Sequence, residues 1–226
     1  MLLNILRNSG LSGTEKLLMI LITLLCVLLS LTVHEVGHGV AALVMGDRTA
    51  QNRGRLSLNP IQHLDPIGAL CLFVFGFGWA KPVPVNPYNF KNAKAGMVIT
   101  SLAGPFTNFV LAFIAQIGVV ALGGMTFRSA GFGYDVATVF YTICLYLVSI
   151  NLGLGIFNLI PVPPLDGSKV MGAVLPTNVY FKYMQYERYG FIILILLMYV
   201  GVFNSILNLC VSGIMSFYTM IIGLFL

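Results

Sequence analysis

The chain has 226 residues, of which 58% are hydrophobic and only 8% are charged, with a net charge of +5. Soluble domains carry about one quarter charged residues, so this composition cannot supply a polar skin. It excludes a soluble enzyme, a disordered chain and a nucleic-acid-binding domain, and the long apolar stretches specify an integral membrane protein whose partner is the lipid bilayer, with no nucleic acid.

At roughly 20 apolar residues per span, the length admits about four to six spans. Residues 1–226 then read as a single membrane-embedded domain. The N-terminal run MLLNILRNSGLSG lacks the charged start, apolar core and cleavage site of a secretory signal. It reads as a short amphipathic stretch for the membrane interface.

The first span is predicted over about 16–46, with Thr14 as its N-cap. Apolar residues dominate to Val33, then His34, Glu35 and His38 interrupt before the pattern resumes, and Gly46-Asp47-Arg48 ends it. Residues 47–94 are different, holding Arg48, Arg53, Arg55, Lys81, Lys91, Lys94 and five prolines. Inside this segment residues 67–80 are apolar, yet too few to span as a helix. LCLFVF, the turn Gly76-Phe77-Gly78 and WAKPVPV read as two extended pieces. A re-entrant β-hairpin-like segment is therefore expected at about 67–86, covered by protein or by a water-filled cavity. The plainer reading is an interfacial loop.

Uncharged spans follow at 97–123 and 136–160, the second ended by Pro161, Pro163 and Pro164. Residues 167–188 form a polar connector. Residues 191–226 carry no charge, which is too long for one untilted span and short for two. Gly201, Asn204 and Asn208 interrupt them, so they are expected to form one or two helices, with a second membrane-embedded helix near the C-terminus. The expected fold is an all-α polytopic membrane protein: a core of three transmembrane helices plus C-terminal membrane helices, with the re-entrant segment after the first helix.

The first and third spans run parallel, because one span separates them. Their C-terminal ends meet on one face, which carries Arg48, Arg53, Arg55, Lys81, Lys91, Lys94, Lys169, Lys182 and Arg188, against Arg7, Lys16 and Arg128 opposite. Basic residues collect on the cytoplasmic side. The chain is therefore expected to be a multi-pass protein of the cell membrane with its N-terminus outside.

His34-Glu35-Val36-Gly37-His38 has the spacing H-E-x-x-H. Residues four apart on a helix share a face, so both imidazoles can reach one metal ion, and Glu35 sets a carboxylate beside it to act on a bound water. Ionisable groups inside a membrane helix are costly and mark function. The bland alternative is a structural polar cluster or a proton relay. A catalytic zinc takes three protein ligands and keeps one position open. Asp166, in NLIPVPPLDG, is the best third candidate, on irregular backbone past the proline-broken third span and on the histidines' face; otherwise it is a turn aspartate. His63, in QHLDP, is a weaker candidate ligand or acid and reads more plainly as loop-structuring. In GPFTN, Gly104 permits close helix approach and Asn108 can hydrogen-bond a neighbouring helix, for packing or to support the site. Cys26, Cys71, Cys144 and Cys210 are scattered in apolar segments without a C-x-x-C pair and read as buried free thiols.

In this order, HEVGH in a membrane helix, Gly104-Pro105-Phe106-Thr107-Asn108 and LDG after a proline-broken helix resemble the site-2 protease family, peptidase M50. LSLNPIQHLDPIG with GFGWAKPVPVNPYNF is similar to its compact bacterial and archaeal branch; as departures from the wider pattern, no PDZ-like insertion lies between the motifs and no CBS-type domain is expected after the last span. The resemblance covers about residues 31–167. It implies one zinc ion bound by His34, His38 and Asp166, with Glu35 as the catalytic base. It also implies that Asn158, in N-x-x-P-x-P-x-L-D-G, helps hold substrate backbone. The function implied is an intramembrane zinc metalloprotease, with transmembrane proteins as its substrates. The alternative is a non-proteolytic metal-binding membrane protein or transporter, against which Glu35 counts, since a transport site needs no base beside its ligands. A prenyl-protein type of membrane protease would need a second, later glutamate ligand, and the only later one, Glu187, lies beside Arg188. His34 follows Lys16 by about 26 Å of helix at about 1.5 Å per residue. That depth puts the site inside the bilayer but nearer the cytoplasm.

Overall fold

A helix begins most stably where side chains can satisfy its free amides. In the computed structural model of the chain, which describes residues 2–7, 10–68, 71, 79–123, 132–199 and 202–225, a short helix α1 (Leu2–Arg7) leads to the long helix α2 (Gly13–Val44). Ser12 caps α2. Its hydroxyl accepts from Glu15 N–H at 3.3 Å, while Glu15 Oε2 accepts from Ser12 N–H at 2.7 Å. This reciprocal capping box moves the cap to Ser12 from the expected Thr14.

Short elements punctuate residues 45–92: helix α3 (Thr49–Asn52) and 3₁₀ turns at Pro60–His63 and Pro87–Asn89. An isolated antiparallel bridge joins Leu64 to Ala80, and Lys81 N–H donates to His63 O at 2.8 Å. The glycine turn of the expected re-entrant hairpin lies outside the described residues, and among the described residues no regular strand forms. Buried Asp47 knots this segment to the end of α2. It accepts from Thr49 N–H at 3.0 Å, Asn86 N–H at 2.7 Å and Asn89 Nδ2 at 2.7 Å, and from the Thr49 hydroxyl. Burial disfavours the Asp47 charge, but these donors outweigh it and hold the carboxyl below its ordinary range.

Helices α4 (Ala93–Gly123), α5 (Phe132–Asn158), α6 (Asp166–Val174), α7 (Thr177–Met184), α8 (Glu187–Tyr199) and α9 (Val202–Ile222) complete the described chain. The polar connector expected at 167–188 is thus largely helical. Among the described residues four segments are long and apolar enough to cross a membrane: Gly13–Val44, Ala93–Gly123, Val136–Asn158 and Ser205–Ile222. The protein is an all-α, multi-pass membrane protein. Two helices, α8 and α9, occupy most of 191–226, and Gly201 and Arg128 fall outside the described residues.

Packing sets small and polar side chains, with a few apolar ones, inside and turns large apolar ones outward. On α2 the buried stripe is Ile22, Cys26, Ser30, His34 and His38, four residues apart, while Leu17, Leu21, Leu25 and Leu29 face outward. On α4 the buried stripe is Thr100, Gly104, Asn108, Ala112 and Gln116, with Phe106, Val110 and Ile114 outward. The two stripes meet closely. A Cβ on Gly37 would lie 2.6 Å from Thr107 Oγ1 and 2.9 Å from Ala103 O. Ala112, Ala115, Val148 and Leu152 form an apolar core between α4 and α5, onto which Val211, Ile214, Met215 and Tyr218 of α9 pack. Only one side of α9 is used in this way. Cys210 on it is therefore exposed, and Cys71 and Cys144 are half-buried, so of the four expected buried thiols only Cys26 is fully so.

Candidate metal centre

His34 and His38 lie one turn apart on the buried stripe of α2, and each ring is held at its inner nitrogen. His34 Nδ1 is 2.6 Å from Asn108 Oδ1 on α4, and His38 Nδ1 is 2.7 Å from the Thr100 carbonyl oxygen. Both partners are acceptors, so each Nδ1 carries the hydrogen and each neutral ring presents a lone pair at Nε2. The two Nε2 atoms are 3.0 Å apart, and each is 3.1 Å from Asp166 Oδ2. Asp166 is the first residue of α6 rather than part of an irregular turn. A carboxylate suits that helix N-terminus. Its other oxygen, Oδ1, meets Lys169 Nζ at 3.2 Å, one turn further on. Burial opposes the Asp166 charge, and the Lys169 ammonium beside Oδ1 favours it.

These residues suit a zinc ion. All three side chains are buried. Ligand bonds of about 2.0–2.1 Å in a tetrahedron set ligand atoms about 3.3 Å apart, close to the triangle found here. A single proton can bridge only two of the three atoms, whereas a divalent cation satisfies all of them and supplies the charge the buried carboxylate needs.

Glu35 is half-buried beside His34. Its Oε2 accepts from Val83 N–H at 2.7 Å, which engages one of its two oxygens and ties α2 to the chain at 81–86. Arg55 Nη2 donates to Lys81 O at 2.7 Å and steadies the same stretch. Asn158 ends α5 half-buried, and its Nδ2 donates to Leu154 O of its own helix at 3.0 Å. Among the described hydrogen bonds it does not touch the three clustered residues. His63 is buried in its 3₁₀ turn, with Nε2 2.8 Å from Ser57 O, and stands apart from the cluster as a loop-structuring residue.

Three contributors escaped sequence reasoning. Lys169 was legible in principle, since it lies three residues after Asp166 on one helix face. The Thr100 carbonyl and Asn151, which bonds Asn108 at 2.6 Å, carry no motif.

Gly104 forms the wall of the site. A Cβ there would lie 2.5 Å from His38 Cε1 and 2.8 Å from His34 Cε1, closer than real carbon contacts allow, and would also crowd His38 Nε2. Both rings are tied at Nδ1 and cannot swing away. Gly104→Ala is expected to weaken zinc binding about tenfold, on the scale of lost outer-shell support, and to destabilise the fold by ~1–3 kcal/mol through overpacking. Chelator competition measures the first effect, and an unchanged zinc affinity would show that the wall has room to yield.

The family model described as Peptidase family M50 matches residues 22–201. YwhC of Bacillus subtilis, named as a candidate zinc metalloprotease, is 43% identical over 173 residues, 75% of this chain and 76% of its own. Rip2 of Mycolicibacterium smegmatis, named in the same way, is 29% identical over 182 residues, 78% of this chain and 66% of its own. MJ0611 of Methanocaldococcus jannaschii, again so named, is 30% identical over 105 residues, 46% of this chain and 49% of its own. No solved structure matches significantly.

Proposed function

We propose, from the premise that this chain belongs to peptidase family M50, that it is an intramembrane zinc metalloprotease. Its substrates are the transmembrane segments of other membrane proteins, cut at peptide bonds within or near them. The observation that supports this most is the convergence of His34 Nε2, His38 Nε2 and Asp166 Oδ2 to 3.0–3.1 Å, with Glu35 adjacent, on a helix apolar enough to cross a bilayer.

Zinc held by those three atoms would supply Lewis acidity, acidifying a water and polarising the scissile carbonyl. Glu35 takes the proton from the attacking water and returns it to the leaving amide nitrogen. The Val83 N–H keeps the Glu35 carboxylate oriented through the transfer. Lys169 occupies the outer oxygen of Asp166 and so keeps that carboxylate facing the histidines. Asn158, eight residues before Asp166, holds substrate backbone. A substrate helix hides its peptide bonds, so part of it must unwind, and the exposed segment would then pair with the re-entrant segment expected at about 67–86. The basic face that includes Lys91, Lys169 and Arg188 is cytoplasmic, which sets the active site nearer the cytoplasm and the N-terminus outside. Cysteines introduced at Lys91 and at Gly10 should be labelled by an impermeant reagent only from the inner and outer side respectively, and the reverse pattern would overturn this orientation.

The function is tested with purified protein in liposomes and a panel of single-span substrates. Cleavage should stop on chelation, return with zinc, and increase when glycine or proline is placed in the substrate helix near the cut, because both weaken a helix. Cleavage that survives full zinc removal, or no cleavage of any member of the panel, would count against the assignment.

A further inference from the structure

Ser30, Asn108 and Asn151 are completely buried where α2, α4 and α5 meet. Their hydrogen bonds have one consistent direction, set by backbone carbonyls that can only accept. Ser30 Oγ donates to Cys26 O at 2.7 Å, which leaves its lone pairs for Asn151. Asn151 Nδ2 spends both hydrogens, on Leu147 O and on Ser30 Oγ, each at 2.8 Å. That turns Asn151 Oδ1 towards Asn108. Asn108 Nδ2 in turn donates to Asn151 Oδ1 at 2.6 Å and to the Ser30 carbonyl at 3.2 Å. Its Oδ1 is left as the acceptor 2.6 Å from His34 Nδ1. An acceptor at that position requires the hydrogen on Nδ1, so the neutral ring carries its lone pair at Nε2, the atom that faces His38 and Asp166.

A side-chain amide has two ends, and Asn108 turned over would present a donor to His34 Nδ1. The ring would then hold its hydrogen on Nε2 and lose its use as a ligand there. Turning Asn108 over sets acceptor against acceptor at the Ser30 carbonyl and at Asn151 Oδ1; turning Asn151 over does the same at the Leu147 carbonyl and sets donor against donor between the two amides, and in a buried site such mismatches cost about 1–3 kcal/mol each. His38 needs no such chain, because its Nδ1 partner is the Thr100 backbone carbonyl, which cannot turn over.

We propose that Asn151 and Ser30 are positioning residues that fix the tautomer of His34 through Asn108, and so keep its Nε2 ready for zinc. Neither residue lies in the motifs that carry the metal-binding and catalytic residues. The inference deepens, and rests on, the reading of His34 as a zinc ligand.

The test uses protein labelled with ¹⁵N-histidine, in which only His34, His38 and His63 give signals. Metal-free protein, studied at a pH where its nitrogen shifts show a neutral ring, reports the tautomer directly. Wild type should hold His34 in the Nδ1–H form. Asn151→Leu should shift it towards Nε2–H and weaken zinc binding about tenfold, the scale of lost outer-shell partners. Asn151→Asp, which keeps an acceptor facing Asn108, should restore the wild-type tautomer. Gln116→Leu is the control, since Gln116 Nε2 donates to Thr219 Oγ1 at 2.8 Å in a comparable helix-to-helix bond two turns further along α4. It should lower stability and leave His34 and zinc affinity as they are. If Asn151→Leu does not fold, Ser30→Ala carries the test with a smaller shift in the same direction. A folded Asn151→Leu or Ser30→Ala protein with the wild-type tautomer and wild-type zinc affinity would overturn the proposal. Because the tautomer is read without metal, a wild type that binds no zinc would defeat the ligand assignment alone and leave the directional chain open to the same measurement.

Discussion

Glu35→Gln is expected to slow peptide cleavage by about 10²–10⁴-fold, the contribution usual for a positioned general acid–base group, with zinc content unchanged. Glutamine has nearly the same shape, and its carbonyl oxygen can still accept the Val83 N–H bond that glutamate accepts at 2.7 Å. The three clustered ligand atoms do not include Glu35, so the metal site should survive. What the amide cannot do is take a proton from water. The two readouts must therefore separate, with one equivalent of zinc bound and almost no turnover. A Glu35→Gln protein that cuts at close to the wild-type rate would show that another group is the base. One that loses its zinc would show that Glu35 belongs to the metal shell instead.

Asp166→Ala should have the opposite signature, losing metal and activity together. It removes one of three ligand atoms and leaves two uncharged Nε2 lone pairs 3.0 Å apart with no anion between them. It also leaves Lys169, which met Asp166 at 3.2 Å, as a cation beside the site that repels zinc. We expect zinc affinity to fall by more than about a hundredfold, beyond the 10–100-fold typical of outer-shell substitutions. Lys169→Met provides the scale, since it frees only the outer oxygen of the carboxylate and should fall within that smaller range. Chelator competition on the purified variants decides the matter. Equal zinc affinity in Asp166→Ala and wild type would remove Asp166 from the ligand set.

The parts of this protein that could be read from the chain are those encoded by local spacing. His34 and His38 are four residues apart on a helix, so their shared face follows from helical geometry alone. The apolar length of 16–46, 97–123 and 136–160 marked helices because an unpaired peptide group in lipid is prohibitive. Local misreadings were small and had local causes. Ser12 rather than Thr14 caps α2 because Glu15 lies three residues after Ser12 and completes a capping box. Asp166 opens a helix rather than ending a turn, since the chain after the prolines resumes helical structure at once.

Which side of each helix turns inward was much less legible. In a membrane helix the lipid-facing and protein-facing sides are both largely apolar, so hydropathy does not separate Leu25 from Cys26. The chain alone therefore determined that this is a membrane protein, that two imidazoles and a carboxylate share a stretch of one helix, and that a motif aspartate follows the third span. Only the tertiary structure decided that Gly104 lets α4 close against both rings, that Thr100 and Asn108 hold their inner nitrogens, and that Asn151 and Ser30 stand behind Asn108. The physical reason is that each of these contacts joins residues of different helices, and the crossing that brings them together depends on all the packed surfaces at once rather than on any one segment.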